Sequence, residues 1–346
     1  MNNKPILVTG GTGFAGSHLV RQLIADGHRV RVLTRRPERV PANLSPRAEV
    51  IGGDITDEDS VRKAVAGTDT IFHLAAAHQE PGIRDSRYRE VHVDGTARLL
   101  EVAKSENVRR FVHCSTVGVL GNIETPPADE TWQLNPEEIY QETKSEAETL
   151  ALNFQKQHGL PVTVARPTAI YGPGDMRLLK LFRMIAKRRF VLLGKGAVQY
   201  HLIHIQDLVR GLRMLASHPE AVGHAFILAG REYCTLKVLT ARIARHLGVP
   251  PPGLTLPVTP FLLAGTVAER VCIPLGINPP IYRRRVEFFT KSRAFSIEKA
   301  RRRLGFEPLV ELDDGLKNTI AWYQANQYLP TEGVTVCTDA AGSSTA

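Results

Sequence analysis

Ile6-Leu7-Val8-Thr9-Gly10-Gly11-Thr12-Gly13-Phe14-Ala15-Gly16 is the stretch whose reading decides the fold of this chain. Ile6-Leu7-Val8 is a short, unbroken apolar run that meets a glycine-rich loop, the pattern of a strand buried on both faces of a parallel sheet. Beyond the loop, Leu19, Val20, Leu23 and Ile24 fall on one stripe, which predicts a helix from 15 to 25, closed by Asp26-Gly27. The three glycines at 10, 13 and 16 each have a separate use. The first turns the chain tightly off the strand, the second lets a pyrophosphate approach the backbone, and the third lets the helix pack close to the sheet. The helix start then offers free N–H groups and a partial positive charge to the phosphates. A bland tight turn is the competing reading. The strand before the loop and the helix after it favour a dinucleotide.

The same rhythm continues outward. Val30-Arg31-Val32-Leu33, Val50-Ile51, Ile71-Phe72-His73-Leu74, Phe111-Val112-His113-Cys114 and Val162-Thr163-Val164-Ala165 read as strands separated by helical patterns. That alternation predicts an α/β fold with a doubly wound parallel sheet, the Rossmann fold. After Arg166-Pro167 the pattern loosens, and Pro173-Gly174, Pro250-Pro251-Pro252 and Pro279-Pro280 break it into short pieces. Ala225-Phe226-Ile227-Leu228 still reads as a strand able to return to the main sheet. The expected division is a dinucleotide-binding domain at 1–172 with 200–230 returning to it, a discontinuous substrate lobe at 173–199 and 231–330, and a disordered tail at 331–346. The apolar stretch 254–275 is interrupted by prolines, Glu269 and Arg270, and reads as a core helix or a pocket lid rather than a membrane segment.

Composition excludes several classes. With 43% hydrophobic and 23% charged residues, the 346-residue chain has the balance of a water-soluble globular protein. No run reaches the ~18 apolar residues of a spanning helix, and the start lacks the pattern of a signal peptide. Cys114, Cys234, Cys272 and Cys337 are scattered, so neither a metal site nor a disulfide framework is expected, and a reducing cytoplasm is. The net charge of +9 is concentrated in runs at 35–36, 187–189, 283–285 and 301–303. These read first as solvated helix faces, and otherwise as suited to an anionic cofactor or to weak peripheral contact with an anionic membrane. Nucleic acid is not expected, since no recognised binding module accompanies them.

Within this frame, particular residues suggest chemistry. An acid at the end of the second strand holds a free ribose 2′-hydroxyl, whereas a 2′-phosphate wants an arginine. Here Thr34-Arg35-Arg36 follows the strand, so NADP is favoured over NAD, with Arg35 as the phosphate contact. Asp54 reads either as the acceptor for the adenine amino group or as a helix N-cap. Tyr140 and Lys144 stand four apart in a helical stretch, one turn above each other on the same face. A nearby cation lowers a phenol's pKa, which suits Tyr140 to exchange a proton with a substrate oxygen. Ser115 and Thr116 follow the strand that ends at Cys114, at the sheet edge where ligands bind, and either hydroxyl could hold that oxygen. A turn capped by its own hydroxyl is the bland alternative there.

Together these motifs resemble the extended short-chain dehydrogenase/reductase family, in its NAD-dependent epimerase/dehydratase-like branch. The likeness also includes Gly53-Asp54, His73-Leu74-Ala75-Ala76, Arg166-Pro167 leading to Tyr171-Gly172-Pro173-Gly174-Asp175, His204-Ile205-Gln206-Asp207, and Leu304-Gly305-Phe306 before Pro308. The resemblance implies cofactor contacts at Gly10, Gly13, Phe14, Ala15, Gly16, Arg35, Asp54, Ile55, Leu74, Ala75 and Ala76, with Pro167 and Ile170 bordering the nicotinamide. It also implies that Lys144 holds the nicotinamide ribose, that Thr116 rather than Ser115 is the catalytic hydroxyl, and that members are often homodimers. Substrate contacts are implied at Ala77, Thr116, Tyr140 and Tyr200.

Two departures bear on the substrate. Sugar-nucleotide enzymes of the family usually carry an arginine where this chain has Tyr200, and the family's usual asparagine after the fourth strand is here His92. The stretch 254–285 is more like the 3β-hydroxysteroid dehydrogenase and dihydroflavonol-reductase-like members, which act on apolar ring alcohols and ketones. The leading expectation is therefore a dehydrogenase/reductase of a secondary alcohol or ketone on a bulky, sterol-like or polycyclic small molecule. A sugar-nucleotide epimerase or dehydratase that retains its NAD is the alternative. A non-catalytic dinucleotide sensor stands third, and the intact Tyr140, Lys144 and Ser115/Thr116 set argues against it.

Overall fold

The computed structural model describes residues 4–40, 47–77, 84–272, 286 and 289–331. The basic run at 283–285, the Pro279-Pro280 pair and positions 332–346 of the expected tail lie outside the described residues. β1 (Ile6–Thr9) leads through the glycine turn into α1 (Phe14–Ala25), then β2 (Val30–Thr34), β3 (Ala48–Gly52), α2 (Glu58–Val65) and β4 (Thr70–His73). A short α3 (Asp85–Arg89) runs through a π-helical stretch (Glu90–Asp94) into α4 (Gly95–Ser105). β5 (Arg110–Cys114), α5 (Ile139–His158), β6 (Val162–Pro167) and β7 (Ala169–Tyr171) follow. Next come α6 (Leu179–Ala186), β8 (Leu192–Leu193), β9 (Gln199–His204), α7 (Ile205–Ser217) and β10 (Ala225–Leu228). β11 (Tyr233–Thr235), α8 (Leu236–His246), β12 (Thr255–Leu256) and α9 (Thr259–Cys272) precede two last helices, Glu298–Leu304 and Leu312–Ala325.

Seven strands form the main sheet in the order β10-β6-β5-β4-β1-β2-β3, every neighbouring pair parallel. The expected return of 225–228 occurs, with β10 pairing β6. Adjacent residues of one strand serve opposite faces. Leu7, Ile71 and Phe111 pack with α2, α4 and α5 through Val61, Leu100 and Ala151, while Val8, Phe72 and Val112 pack with α1 and α7 through Leu19 and Leu212. Both positions of each pair are apolar, so both faces are covered, which is why the strands read as continuous apolar runs. The chain moves from β1 outward to β2 and β3, then returns to β4 on the other side of β1. The crevice at the carboxyl ends of β1 and β4 is therefore the topological switch point, where open α/β sheets bind ligands.

Two compact units make up the chain. The first comprises Met1–Gly172, Gln199–Tyr233 and Lys291–Leu312, and the second Pro173–Val198, Cys234–Thr290 and Asp313–Ala346. The segment Lys291–Leu312, expected in the substrate lobe, packs instead on the first unit. Ala128 pairs with it by backbone bonds, donating to Ala294 O at 3.1 Å and accepting from Ser296 N at 2.7 Å, and Ala294, Phe295 and Ile297 are buried. In the second unit β8 pairs β12, and Phe182 packs edge-on to Tyr323. Of the two expectations for 254–275, a core helix or a pocket lid, the core helix fails for α9. Leu263, Val267 and Val271 recur every four residues on one face and are all more than half exposed. No helix among the described residues is long and apolar enough to cross a membrane.

One buried ion pair ties α5 to β6. Arg166 Nε and Nη2 reach Glu148 Oε1 at 2.9 and 2.5 Å, with both side chains nearly sealed from solvent. Glu148→Ala leaves that guanidinium buried without its partner and is expected to cost ~3–5 kcal/mol in chemical denaturation. Glu146→Ala, two residues before Glu148 on the same helix, removes the exposed partner of Arg89 and should leave the denaturation midpoint nearly unchanged.

Candidate functional site

The glycine turn fits a dinucleotide because side chains are excluded from it. Gly10 has φ +72°, and a Cβ there would lie 2.7 Å from Leu74 C and Ala75 N on the segment after β4. At Gly16 a Cβ would meet Gly10 O at 2.1 Å. Gly13 donates to Gly10 O at 3.0 Å and stands at the N-cap of α1, where no side chain caps the helix. The first N–H groups of α1, from Phe14 and Ala15 onward, are thus left for an anion. Leu74 and Ala75 are half-buried, Ala76 is exposed and Ala77 is buried. Arg35 and Arg36 are exposed just past β2, at the same carboxyl edge of the sheet.

Asp54 is engaged by protein groups. Its Oδ1 accepts from Thr56 N at 3.1 Å, and its Oδ2 accepts from Arg87 Nη2 at 2.7 Å. Partial burial works against its charge, but the Thr56 and Arg87 hydrogen bonds, with that guanidinium's charge, hold the carboxyl below the usual carboxylate range. The helix cap considered for Asp54 belongs instead to Asp57, which accepts from Ser60 N at 2.9 Å and heads α2. A carboxylate has about four acceptor positions, so Asp54 keeps capacity for an amino group. Ile55 beside it is buried.

Tyr140 and Lys144 lie in the first turns of α5. Lys144 is buried and donates from Nζ to Cys114 O at 2.6 Å, which pins it to the carboxyl end of β5. Desolvation pushes its ammonium pKa down, and the nearby Cys114 and the Glu148 carboxylate oppose that. Tyr140 is half-buried, edge-on to the His92 ring at 5.4 Å and to Tyr88 at 6.4 Å. Ser115 and Thr116 differ in accessibility. Ser115 Oγ is sealed from solvent without a hydrogen-bond partner among the described residues. Thr116 is half-buried, and its Oγ1 accepts from Gly118 N at 3.1 Å, leaving its own proton to donate.

His73 links the start of the glycine turn to α4. Thr9 Oγ1 accepts from Ala75 N at 3.3 Å and stands 2.7 Å from His73 Nδ1, while Nε2 is 3.0 Å from Thr96 Oγ1, which donates to His92 O. Only one order of donors satisfies all of these atoms: Ala75 N–H to Thr9, Thr9 O–H to Nδ1, Nε2–H to Thr96. Burial, reinforced by the charge of Lys144, holds the His73 imidazole pKa far below its ordinary value, so it stays neutral. Tyr200 is buried on β9, where desolvation pushes its phenol pKa up and keeps it uncharged. Pro167 ends β6, and Ile170 lies half-buried in β7. Arg87 and Thr143 were not singled out from the sequence. Arg87 sits 33 positions from the acid it pairs with, and Thr143 carries no motif signal of its own.

A model of the NAD dependent epimerase/dehydratase family matches residues 6–229. The chain is 33% identical over 92% of its length to the 3 beta-hydroxysteroid dehydrogenase/Delta 5-->4-isomerase of Mycobacterium tuberculosis, of which the match covers 90%. It is 29% identical over 94% of its length to a putative dihydroflavonol 4-reductase of Synechocystis, 96% of which is covered. Among solved structures it resembles the dTDP-glucose 4,6-dehydratase of Streptomyces venezuelae with NAD and TYD bound. That match has 28% identity and a TM-score of 0.74, covering 93% of this chain and 98% of the other.

The unequal exposure of the two hydroxyls is testable. Thr116→Ala should lower kcat/KM more than Ser115→Ala, each variant first being checked for native circular dichroism. The reverse ranking moves the role to Ser115.

Proposed function

Since the chain belongs to the NAD-dependent epimerase/dehydratase family, we propose that this NAD(P)-dependent enzyme interconverts a secondary alcohol and a ketone on a bulky, apolar, sterol-like substrate. Tyr140 is the general acid and base. The observation that carries this reading is Lys144, pinned by Cys114 O at the sheet edge that also holds the glycine turn, one helical turn from Tyr140. A bound nicotinamide dinucleotide supplies or accepts the hydride. Gly10, Gly13 and Gly16 receive its pyrophosphate with the backbone N–H groups of Phe14 and Ala15. Asp54 and Ile55 take the adenine end, and Leu74, Ala75, Ala76, Pro167 and Ile170 border the rest. Lys144 holds the ribose, and its charge favours the phenolate of Tyr140. In the oxidative direction that phenolate takes the substrate's hydroxyl proton, and in the reductive direction the phenol returns it to the carbonyl oxygen. Thr116 donates to the same oxygen.

An apolar substrate is supported by Tyr200, an uncharged buried phenol in the place where sugar-nucleotide members of the family usually carry an arginine. The hydroxysteroid dehydrogenase and dihydroflavonol reductase relatives point the same way. Each Å² of apolar ligand surface removed from water contributes roughly 25 cal/mol, so a ring system can bind at Ala77 and Tyr200 without an ion pair. The family description and the dehydratase-like structure favour a second reading, a redox-neutral reaction on a sugar nucleotide with the cofactor retained. A homodimer in the cytoplasm completes the proposal, resting on the family resemblance and on the scattered cysteines.

Tyr140→Phe is expected to lower kcat ~10²–10⁴-fold with cofactor affinity held, because it removes only a group acting in the transition state. Activity within a few-fold of wild type removes Tyr140 from the role. Turnover of a steroid panel and a uridine-diphosphate-sugar panel, followed by nicotinamide absorbance and by product analysis, separates the two readings. Sugar-nucleotide conversion without net cofactor change, and no turnover of any ring alcohol or ketone, reverses the ranking.

NADP is the proposed cofactor because Arg35 stands exposed where a 2′-phosphate would lie. Arg35→Asp should weaken NADP far more than NAD in fluorescence titration, and an unchanged ratio between them makes Arg35 an ordinary surface residue.

A further inference from the structure

We infer that His92 is a positioning residue, which ties the segment after β4 to the catalytic turn of α5 through a neutral imidazole protonated on Nδ1. Its catalytic meaning rests on the role proposed for Tyr140. Ala77 N lies 3.0 Å from His92 Nε2, and a backbone amide can only donate, so Nε2 presents its lone pair. On the other side Nδ1 is 2.8 Å from Thr143 Oγ1, whose own proton goes to Ile139 O at 2.7 Å. Thr143 therefore accepts from Nδ1, and the order of donors is fixed: Ala77 N–H to Nε2, Nδ1–H to Thr143, Thr143 O–H to Ile139. A second proton on the ring would aim one N–H at another, so this linkage exists only with neutral His92.

The linkage spans what chemistry here must hold in register. Ala77 stands two residues after Ala75, in the segment against which the glycine turn packs. Thr143 lies between Tyr140 and Lys144, and the His92 ring stands edge-on to the Tyr140 ring. His92 itself is buried in the π-helical stretch Glu90–Asp94, a local widening of the helix of the kind that recurs at functional sites. An asparagine also carries one acceptor and one donor on a planar group, so it can satisfy Ala77 and Thr143 in the same order. A leucine fills the space and satisfies neither.

The test uses the full chain with cofactor and the substrate that turns over best. His92→Leu is expected to lower kcat ~10–100-fold, the scale of a small misplacement of reacting groups, with KM and cofactor affinity changed far less. His92→Asn should recover most of that loss. Thr143→Val should resemble His92→Leu, and the double variant should be no slower than the slower single, since both cut one linkage. A merely structural role gives additive losses without rescue by asparagine, and that result overturns the inference. Long-range ¹⁵N spectra of the wild-type histidines, assigned through His92→Asn, provide a readout free of catalysis and of variant folding. A His92 imidazole carrying its proton on Nδ1 at neutral pH is expected; a proton on Nε2, or on both nitrogens, overturns the assignment. Full activity of Tyr140→Phe would sink the catalytic reading alone and leave this tautomer intact.

Discussion

At Gly10 the backbone of the first turn comes so near the segment after β4 that a methyl group would stand 2.7 Å from Ala75 N, and at Gly16 the helix closes on Gly10 O at 2.1 Å from where a Cβ would be. These contacts set the position of α1 over the sheet and the path of the chain leaving β4. Thr9 reinforces them by accepting from Ala75 N and passing the bond to His73. The two sides of the switch-point crevice are thereby held as one piece of backbone, and the uncapped N-terminus of α1 opens beside the segment that runs on to Ala77. Everything assigned to cofactor and catalysis on this edge inherits its spacing from that approach.

Charge around the edge is confined to few groups. Lys144 is buried, with its ammonium compensated by Cys114 O and by the charge of Glu148. Glu148 is itself bound to Arg166, so one carboxylate faces two cations. The imidazoles of His73 and His113 lie close by, and desolvation together with the positive field of Lys144 keeps both neutral. Neutral rings can carry directed hydrogen bonds, whose order is set by backbone amides that only donate and carbonyls that only accept.

Much of this was legible in the residues because it depends on local periodicity. Leu7 and Val8, Ile71 and Phe72, Phe111 and Val112 read as doubly buried strands since both members of each pair are apolar. The glycine spacing read as a cofactor turn because a close approach leaves glycine as the residue that fits. Tyr140 and Lys144 read as a pair because the α-helix brings residues four apart to one face. The exchange of Asp54's cap for Asp57 was not legible, because both acids stand at the head of the same helix and only the backbone angle chooses between them.

The sequence by itself determined the doubly wound α/β class, the place of the glycine turn and the helix that carries Tyr140 and Lys144, all set within a turn or two of helix or strand. Tertiary structure decided what lies across long separations: Arg87 on Asp54, His92 between Ala77 and Thr143, and Lys291–Leu312 on the first unit. It also decided that α9 turns Leu263, Val267 and Val271 outward, although their periodicity would equally suit a buried stripe. The reason is physical. Periodicity records which side of an element is apolar, whereas a hydrogen bond between residues 51 positions apart, such as His92 to Thr143, exists only once the sheet has brought their backbones together.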